Sequence, residues 1–297
     1  MIFLIGSILL SSFLTIAFKC CTKLSINTFQ AIVFNYMVCA ITGMVVSGYI
    51  PSVTYNVAQP WFKWSLIMGA GFILTFYGIA LTVQKSGLAV ASVASKLSLV
   101  IPFLFSLFLY NEDASFLKLA GILLALVAVV LTLYPEKNID ATSKGVSLKV
   151  RLQKILLPLF VFVGTGLLDT LIKFVEQGYI PVGDNDTYLI NTFSVAFVIG
   201  FILLLIQLGL KKLPFNPKAI LAGIIIGIPN YFSIWCLIKV LKEYGGISSV
   251  IFPVNNMGIV LFSALVAFIF FKEKLSWFNW TGIVLAVIAI LMIAFGN

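Results

Sequence analysis

Residues 87–126 read GLAVASVASKLSLVIPFLFSLFLYNEDASFLKLAGILLAL, and a variant returns over residues 246–287 as GISSVIFPVNNMGIVLFSALVAFIFFKEKLSWFNWTGIVLAV. Glu112, Ser115 and Gly121 of the first copy match Glu273, Ser276 and Gly282 of the second at one offset, 273 − 112 = 161. Each copy is an apolar run, a loop acid, then a second apolar run. Lys96 lies inside the first run, where a lysine at mid-bilayer costs roughly 2.5–3.5 kcal/mol on insertion scales and usually serves a function. A duplicated apolar unit with a charge buried in one copy is the pattern of a membrane protein built from two related halves.

The rest of the chain agrees. Of 297 residues, 61% are hydrophobic and 10% charged, with mean hydropathy +1.14. That leaves too little polar surface to cover a soluble domain of this size. Apolar runs of about 20 residues recur end to end, the length that crosses roughly 30 Å of hydrocarbon. They do not alternate polar and apolar residues as barrel strands do. The expected class is all-α and polytopic, because helices satisfy their own backbone hydrogen bonds in lipid.

Ten spans fit, over residues 2–21, 29–49, 62–84, 88–110, 115–134, 155–176, 188–210, 218–242, 246–271 and 276–296. The long polar stretch PEKNIDATSKGVSLKVRLQK, residues 135–154, divides the chain into a first half, 1–134, and a second half, 155–297. Five spans in each half is an odd number, so the halves lie upside down relative to each other, with a site expected between them at mid-depth. Segment 49–60 reads as a polar turn. Gly69, Gly71, Gly78, Gly164, Gly166, Gly223 and Gly227 let helix backbones approach closely. Pro102, Pro158, Pro229 and Pro253 each remove a backbone bond; they read either as tolerated kinks or as bending points.

Charge sets orientation. Loops after odd-numbered spans carry Lys23, Lys85, Lys137, Lys144, Lys149, Arg151, Lys154, Lys211, Lys212, Lys218, Lys272 and Lys274. Those after even-numbered spans carry Lys63, Lys118 and Lys242. Twelve against three puts residues 135–154 in the cytoplasm and both termini outside. The net charge of +9 therefore reflects topology and anionic lipid headgroups rather than nucleic acid. The chain starts apolar at Ile2 without a basic leader, which reads as a first span rather than a removed signal. Its four cysteines (Cys20, Cys21, Cys39, Cys236) lack CxxC spacing and histidine is absent, so neither a metal site nor a disulfide framework is expected. No cofactor motif occurs, and without a GxxxxGK[ST] loop an ATP-driven pump is not expected.

The two quoted segments resemble the EamA-type repeat of the drug/metabolite transporter superfamily. In that repeat a small-residue-rich helix ends at a loop glutamate, followed by an amphipathic entry and a glycine-containing helix. Residues 89–110 with Glu112, Ser115 and Gly121 fit it, as do residues 248–271 with Glu273, Ser276 and Gly282. Lys19 fits the basic residue that often ends the family's first helix. The resemblance implies a ten-helix secondary transporter of a small polar organic metabolite, working by alternating access, as monomer or homodimer. A bacterial inner membrane is the expected location. Many family members keep their termini in the cytoplasm, opposite to the charge count, so both orientations stay open. Organic-phosphate translocators of the superfamily resemble this chain in having a cavity lysine. Here Asn255 and Asn256 stand where a second basic group would favour phosphate, which leaves a carboxylate or a zwitterion open.

Lys96 lies roughly 12 Å into its span at 1.5 Å per residue, too deep to reach an interface comfortably. It meets either a substrate or an internal acid such as Asp169. Asp169 and Lys173, four apart, share one helical face and read either as an ion pair or as a proton-coupling site. Lys19 reads as snorkelling or as a third member of that set. Asn255 and Asn256 need partners at mid-depth, from helix or from substrate. Asn35, Tyr36, Tyr77, Asn191, Asn230, Tyr231 and Trp235 are candidate lining residues, with packing as the plain alternative for each. Trp61, Trp64, Trp277 and Trp280 read as interfacial anchors. Glu112 and Glu273 read as structural, beside capping serines. The competing classes are a membrane enzyme acting on lipids, disfavoured by the absence of histidine and scarcity of acids, and a non-transporting receptor or scaffold.

Overall fold

The structure, a computed structural model, describes residues 2–50, 52–110, 115–132, 148–181, 183–210, 214–243, 248–273 and 275–295. Among them are helices and turns and no strand. The helices are α1 (Ile2–Lys23), α2 (Thr28–Ser47), α3 (Val53–Ala58), α4 (Phe62–Ser86), α5 (Leu88–Leu97), α6 (Val100–Tyr110), α7 (Phe116–Thr132), α8 (Leu148–Gly178), α9 (Asn185–Gly209), α10 (Lys218–Glu243), α11 (Ser248–Ile269) and α12 (Trp277–Phe295). Seven helical stretches are long and apolar enough to cross a membrane, and three shorter apolar helices accompany them.

Three features depart from the sequence expectation. The first is α3, a short helix within the segment read as a turn. Secondly, α8 begins at Leu148, inside the stretch read as linker; residues 133–147 lie outside the described residues. Thirdly, the fourth expected span is two helices, broken at Ser98–Leu99. Pro102 has no N–H to give the Ser98 carbonyl four residues back. The Ile101 N–H donates to that carbonyl instead, at 2.9 Å, and the Phe103 N–H reaches Leu99 at 3.3 Å. The tighter turn ends one helix and starts the next. Pro158 and Pro229, by contrast, lie inside α8 and α10 without ending either.

Caps mark where other helices begin. Asn27 accepts the Gln30 N–H at 3.1 Å to start α2, and Gly48 closes that helix with φ 67°. Ser115 Oγ accepts the Lys118 N–H at 3.3 Å, and Ser276 Oγ accepts the Asn279 N–H at 3.2 Å. The two repeat serines thus cap α7 and α12 as expected.

Helix α5 is the centre of the molecule. It packs against α4, α7, α8 and α11, and all its residues except Lys96 are buried. Alanine or serine at five of its ten positions keeps it thin enough to be surrounded. Around it, α7 packs on α12, α2 on α9 and α10, α1 on α10 and α11, and α4 on α8 and α9. The α7–α12 contact uses both duplicated glycines. A Cβ on Gly121 would sit 3.1 Å from the Ala289 carbonyl, and one on Gly282 would sit 2.7 Å from the Thr132 nitrogen. Backbones meet there directly, and Asn279 Nδ2 adds a hydrogen bond to the Thr132 carbonyl at 2.7 Å.

One end of the bundle gathers the C-termini of α1 and α4 and the N-terminus of α5. Among the described residues it carries Lys23, Lys85, Lys154 and Lys272, which make it the basic end of the bundle. There Lys85 Nζ donates to Gln153 Oε1 at 2.9 Å and ties α4 to α8. At the opposite end, Asn56 Nδ2 donates to Asn191 Oδ1 at 2.9 Å, and Asn191 Nδ2 to Ser65 Oγ at 2.7 Å. The Tyr55 hydroxyl donates to Asp184 Oδ2 at 2.8 Å, which raises its pKa above the ordinary 10. Trp61, read as an interfacial anchor, is instead fully buried, its ring edge-on to Tyr188 at 5.6 Å. Trp277 is 78% exposed, as an anchor should be.

Candidate functional site

Lys96 is the residue of α5 with open surface, on a helix otherwise enclosed. Its side chain is half-buried, while its neighbours on the helix are enclosed. Asp169 of α8 keeps open surface although protein surrounds it. The two charges act on each other, yet they form no ion pair within 4 Å; among the described residues that arrangement is found at Lys19–Glu273. A cation and an anion thus lie near one another in the interior without direct contact. Next to them, the α6–α8 approach is set by Gly166, whose missing side chain admits Ile101 of α6.

A polar seam is made up of unpartnered groups on Lys96's own helix and on two helices packed against it. On α1, α5 and α11, which pack together, the Ser7, Ser12, Ser92 and Ser263 hydroxyls and Asn255 Oδ1 are buried without a hydrogen-bond partner. Leaving a buried polar group unpaired costs about 1–3 kcal/mol. Five on three neighbouring helices are explained at once if water or ligand occupies the seam. Asn256 is half-buried beside them. The four serines were not singled out from sequence, since serine in a membrane helix ordinarily bonds its own backbone; Thr15 does so, to Ser12 at 2.9 Å.

Other expected lining residues lie elsewhere. Asn35 is in the α2–α10 contact, where its Oδ1 accepts from Asn230 Nδ2 at 3.2 Å. Tyr231 is buried in the same contact, close to Gly43. Tyr36 stacks on Phe72 and Phe193 and donates to the Phe72 carbonyl at 3.1 Å. Tyr77 meets Phe29 edge-on at 5.3 Å. Trp235 packs on Phe3 at 5.7 Å, with the Lys239 ammonium 5.1 Å from its ring. The Lys173 side chain and all of Glu112 lie outside the described residues.

Lys19 and Glu273 carry the largest surprise. Lys19 Nζ is 2.8 Å from Glu273 Oε1, with side chains 22% and 12% exposed. Both carboxylate oxygens also accept the Leu88 N–H at 3.0 Å. Glu273 thus caps α5 across the molecule, where an acid favours the positive end of the helix dipole. Its room comes from Gly87, φ 102°, at which a Cβ would lie 2.8 Å from Glu273 Oε2. The expectation of a structural role near Ser276 is replaced by a clasp joining α1, the α4–α5 turn and the α11–α12 loop.

This all-helical fold with charges inside it has relatives. The model of the EamA-like transporter family matches residues 154–295. That match makes the second half of the chain similar to an EamA-like unit. An uncharacterized protein of Haemophilus influenzae is 26% identical over 304 residues, covering 97% of this chain and 95% of that one. A protein of known crystal structure shares the fold, with TM-score 0.62 and 17% identity over 98% of this chain and 94% of that chain. The matched segment contains Asp169, Asn255, Asn256 and Glu273, and the family it matches is one of transporters.

Proposed function

We propose that the chain is a secondary transporter that moves a small polar metabolite, anionic or zwitterionic, by alternating access between two inverted five-helix halves. The observation that carries this reading is that Lys96, from the first half, and Asp169, from the second, are close enough to influence each other and are not joined as an ion pair. A carboxylate on the substrate would take the Lys96 ammonium. An ammonium on the same molecule, or a proton, would take Asp169. Asn255 and the seam hydroxyls would replace water around the remaining polar groups.

Helix packing supports the inverted halves. Counterparts α7 and α12 pack together, as do α2 and α9, and α5 and α11; the α1–α10 contact is matched by α8–α4, and α2–α10 by α9–α4. Helix α1 ends at the basic end and α8 begins there, so counterparts run in opposite directions. The clasp of Lys19, Glu273 and the Leu88 N–H suits a gate at the basic end. Substrate drawing Lys96 towards it would compete with closure there.

Counterflow in proteoliposomes tests the reading, after a thermal-shift screen of anionic, zwitterionic and cationic metabolites picks the solute. Lys96→Ala is expected to abolish solute-specific flux while the protein still folds. Wild-type flux in that variant removes Lys96 from the mechanism, and turnover of solute without movement would mean an enzyme instead.

A further inference from the structure

A groove of about 420 Å³ lies between α1 and α11. Leu9, Phe13 and Ile16 form one wall and Phe262 and Val266 the other, with Phe271 at the basic end. Its volume is within the range of small-ligand sites, but its lining offers such a ligand almost no polar contact. Only an alkyl chain is satisfied by such walls.

The mouth of the groove is different. The Lys23 ammonium lies 4.6 Å from the centre of the Phe271 ring. Lys272 follows directly and is exposed. The acid of that loop, Glu273, is already taken by Lys19 and the Leu88 N–H, so it does not offset the two lysines. An apolar slot with the Lys23 ammonium over its end ring, and an exposed lysine next in the chain, matches one chemistry closely. We propose that this groove binds an anionic phospholipid, with an acyl chain along α1 and α11 and the phosphate between Lys23 and Lys272.

Charge selects this occupant over its competitors. A second copy docking here through a two-fold axis would bring the lysine pairs of both copies towards each other, like charge against like. A zwitterionic lipid fits the slot but brings no net charge to the lysines. By the charge count, the basic end faces the cytoplasmic leaflet, which holds the anionic lipids.

The test is native mass spectrometry of the detergent-purified chain, titrated with dioleoyl phosphatidylglycerol or dioleoyl phosphatidylcholine. One phosphatidylglycerol per chain is expected, at least about tenfold tighter than phosphatidylcholine, since each lysine near an anionic headgroup contributes about fivefold. The double variant Lys23→Gln, Lys272→Gln should bring phosphatidylglycerol down to the phosphatidylcholine level. Val266→Trp, which fills the slot, should weaken both lipids, with melting in lipid-free detergent as the check on folding. Equal affinity of the wild type for the two lipids overturns the proposal. So does a preference that survives the glutamine pair, or one that Val266→Trp leaves untouched. No substrate is needed, so the outcome is independent of the transport reading.

Discussion

Replacing Glu273 by Gln isolates the charge of the clasp while leaving its shape. The amide oxygen still accepts the Leu88 N–H, but Lys19 loses its counter-ion while 22% exposed. An exposed pair is worth about 0–1 kcal/mol, and breaking a fully buried one costs about 3–5 kcal/mol. This pair lies between, and the lost anion at the α5 N-terminus adds up to about 1 kcal/mol. The expected cost is about 2–3 kcal/mol. At roughly 2 °C per kcal/mol for a chain of this size, melting in detergent should fall by about 4–6 °C. The decisive comparison is a double-mutant cycle with Lys19→Gln. Once Lys19 is neutral, Glu273→Gln should cost at least about 1 kcal/mol less than in the wild type. Strict additivity would mean that the two charges do not interact, and the clasp would then be no more than a backbone cap.

Other expectations follow from the same geometry. Gly87→Ala should destabilise by about 1–3 kcal/mol, because φ 102° strains a side-chain residue and its Cβ would press on Glu273; an unchanged melting point would contradict the cap. Gly282→Ala should cost about 1–3 kcal/mol by overpacking the α7–α12 contact, read by the same melting assay, and a neutral result would mean those backbones are not that close. Asp169→Asn should make flux in proteoliposomes independent of a pH gradient if that carboxylate carries the proton, and retained pH dependence in the folded variant excludes it. A phosphatase or fluorescent fusion at Asn297 should report the C-terminus outside the cytoplasm; a cytoplasmic signal would reverse the orientation drawn from the lysine count.

Much of the architecture was legible because its causes are local. Apolar length marks spans, and the capping serines Ser115 and Ser276 sit where helices start. Lys96 could be singled out because burying an ammonium is expensive wherever the chain puts it. What escaped was tertiary. Nothing near Glu273 in sequence says that its carboxylate turns away from α12 to a helix 185 residues earlier. Gly87, merely the first residue of the repeat in sequence, gave no sign that its bare backbone makes room for that carboxylate. Asn35 and Asn256 look alike as intramembrane amides. Only the fold separates the one that found Asn230 from the one left beside a polar seam. Trp61 misled for a related reason: an interfacial tryptophan and one covered by Tyr188 of a distant helix share the same position at a helix end.

The glycines of the α7–α12 contact have a consequence beyond packing. Gly121 presses on α12 and Gly282 presses on α7, so each helix offers the other the same feature. Such reciprocity is what two identical molecules use to form a symmetric pair. The two halves, made as separate polypeptides severed within residues 135–147, should therefore find one another through this seam and rebuild the assembly without a covalent tether.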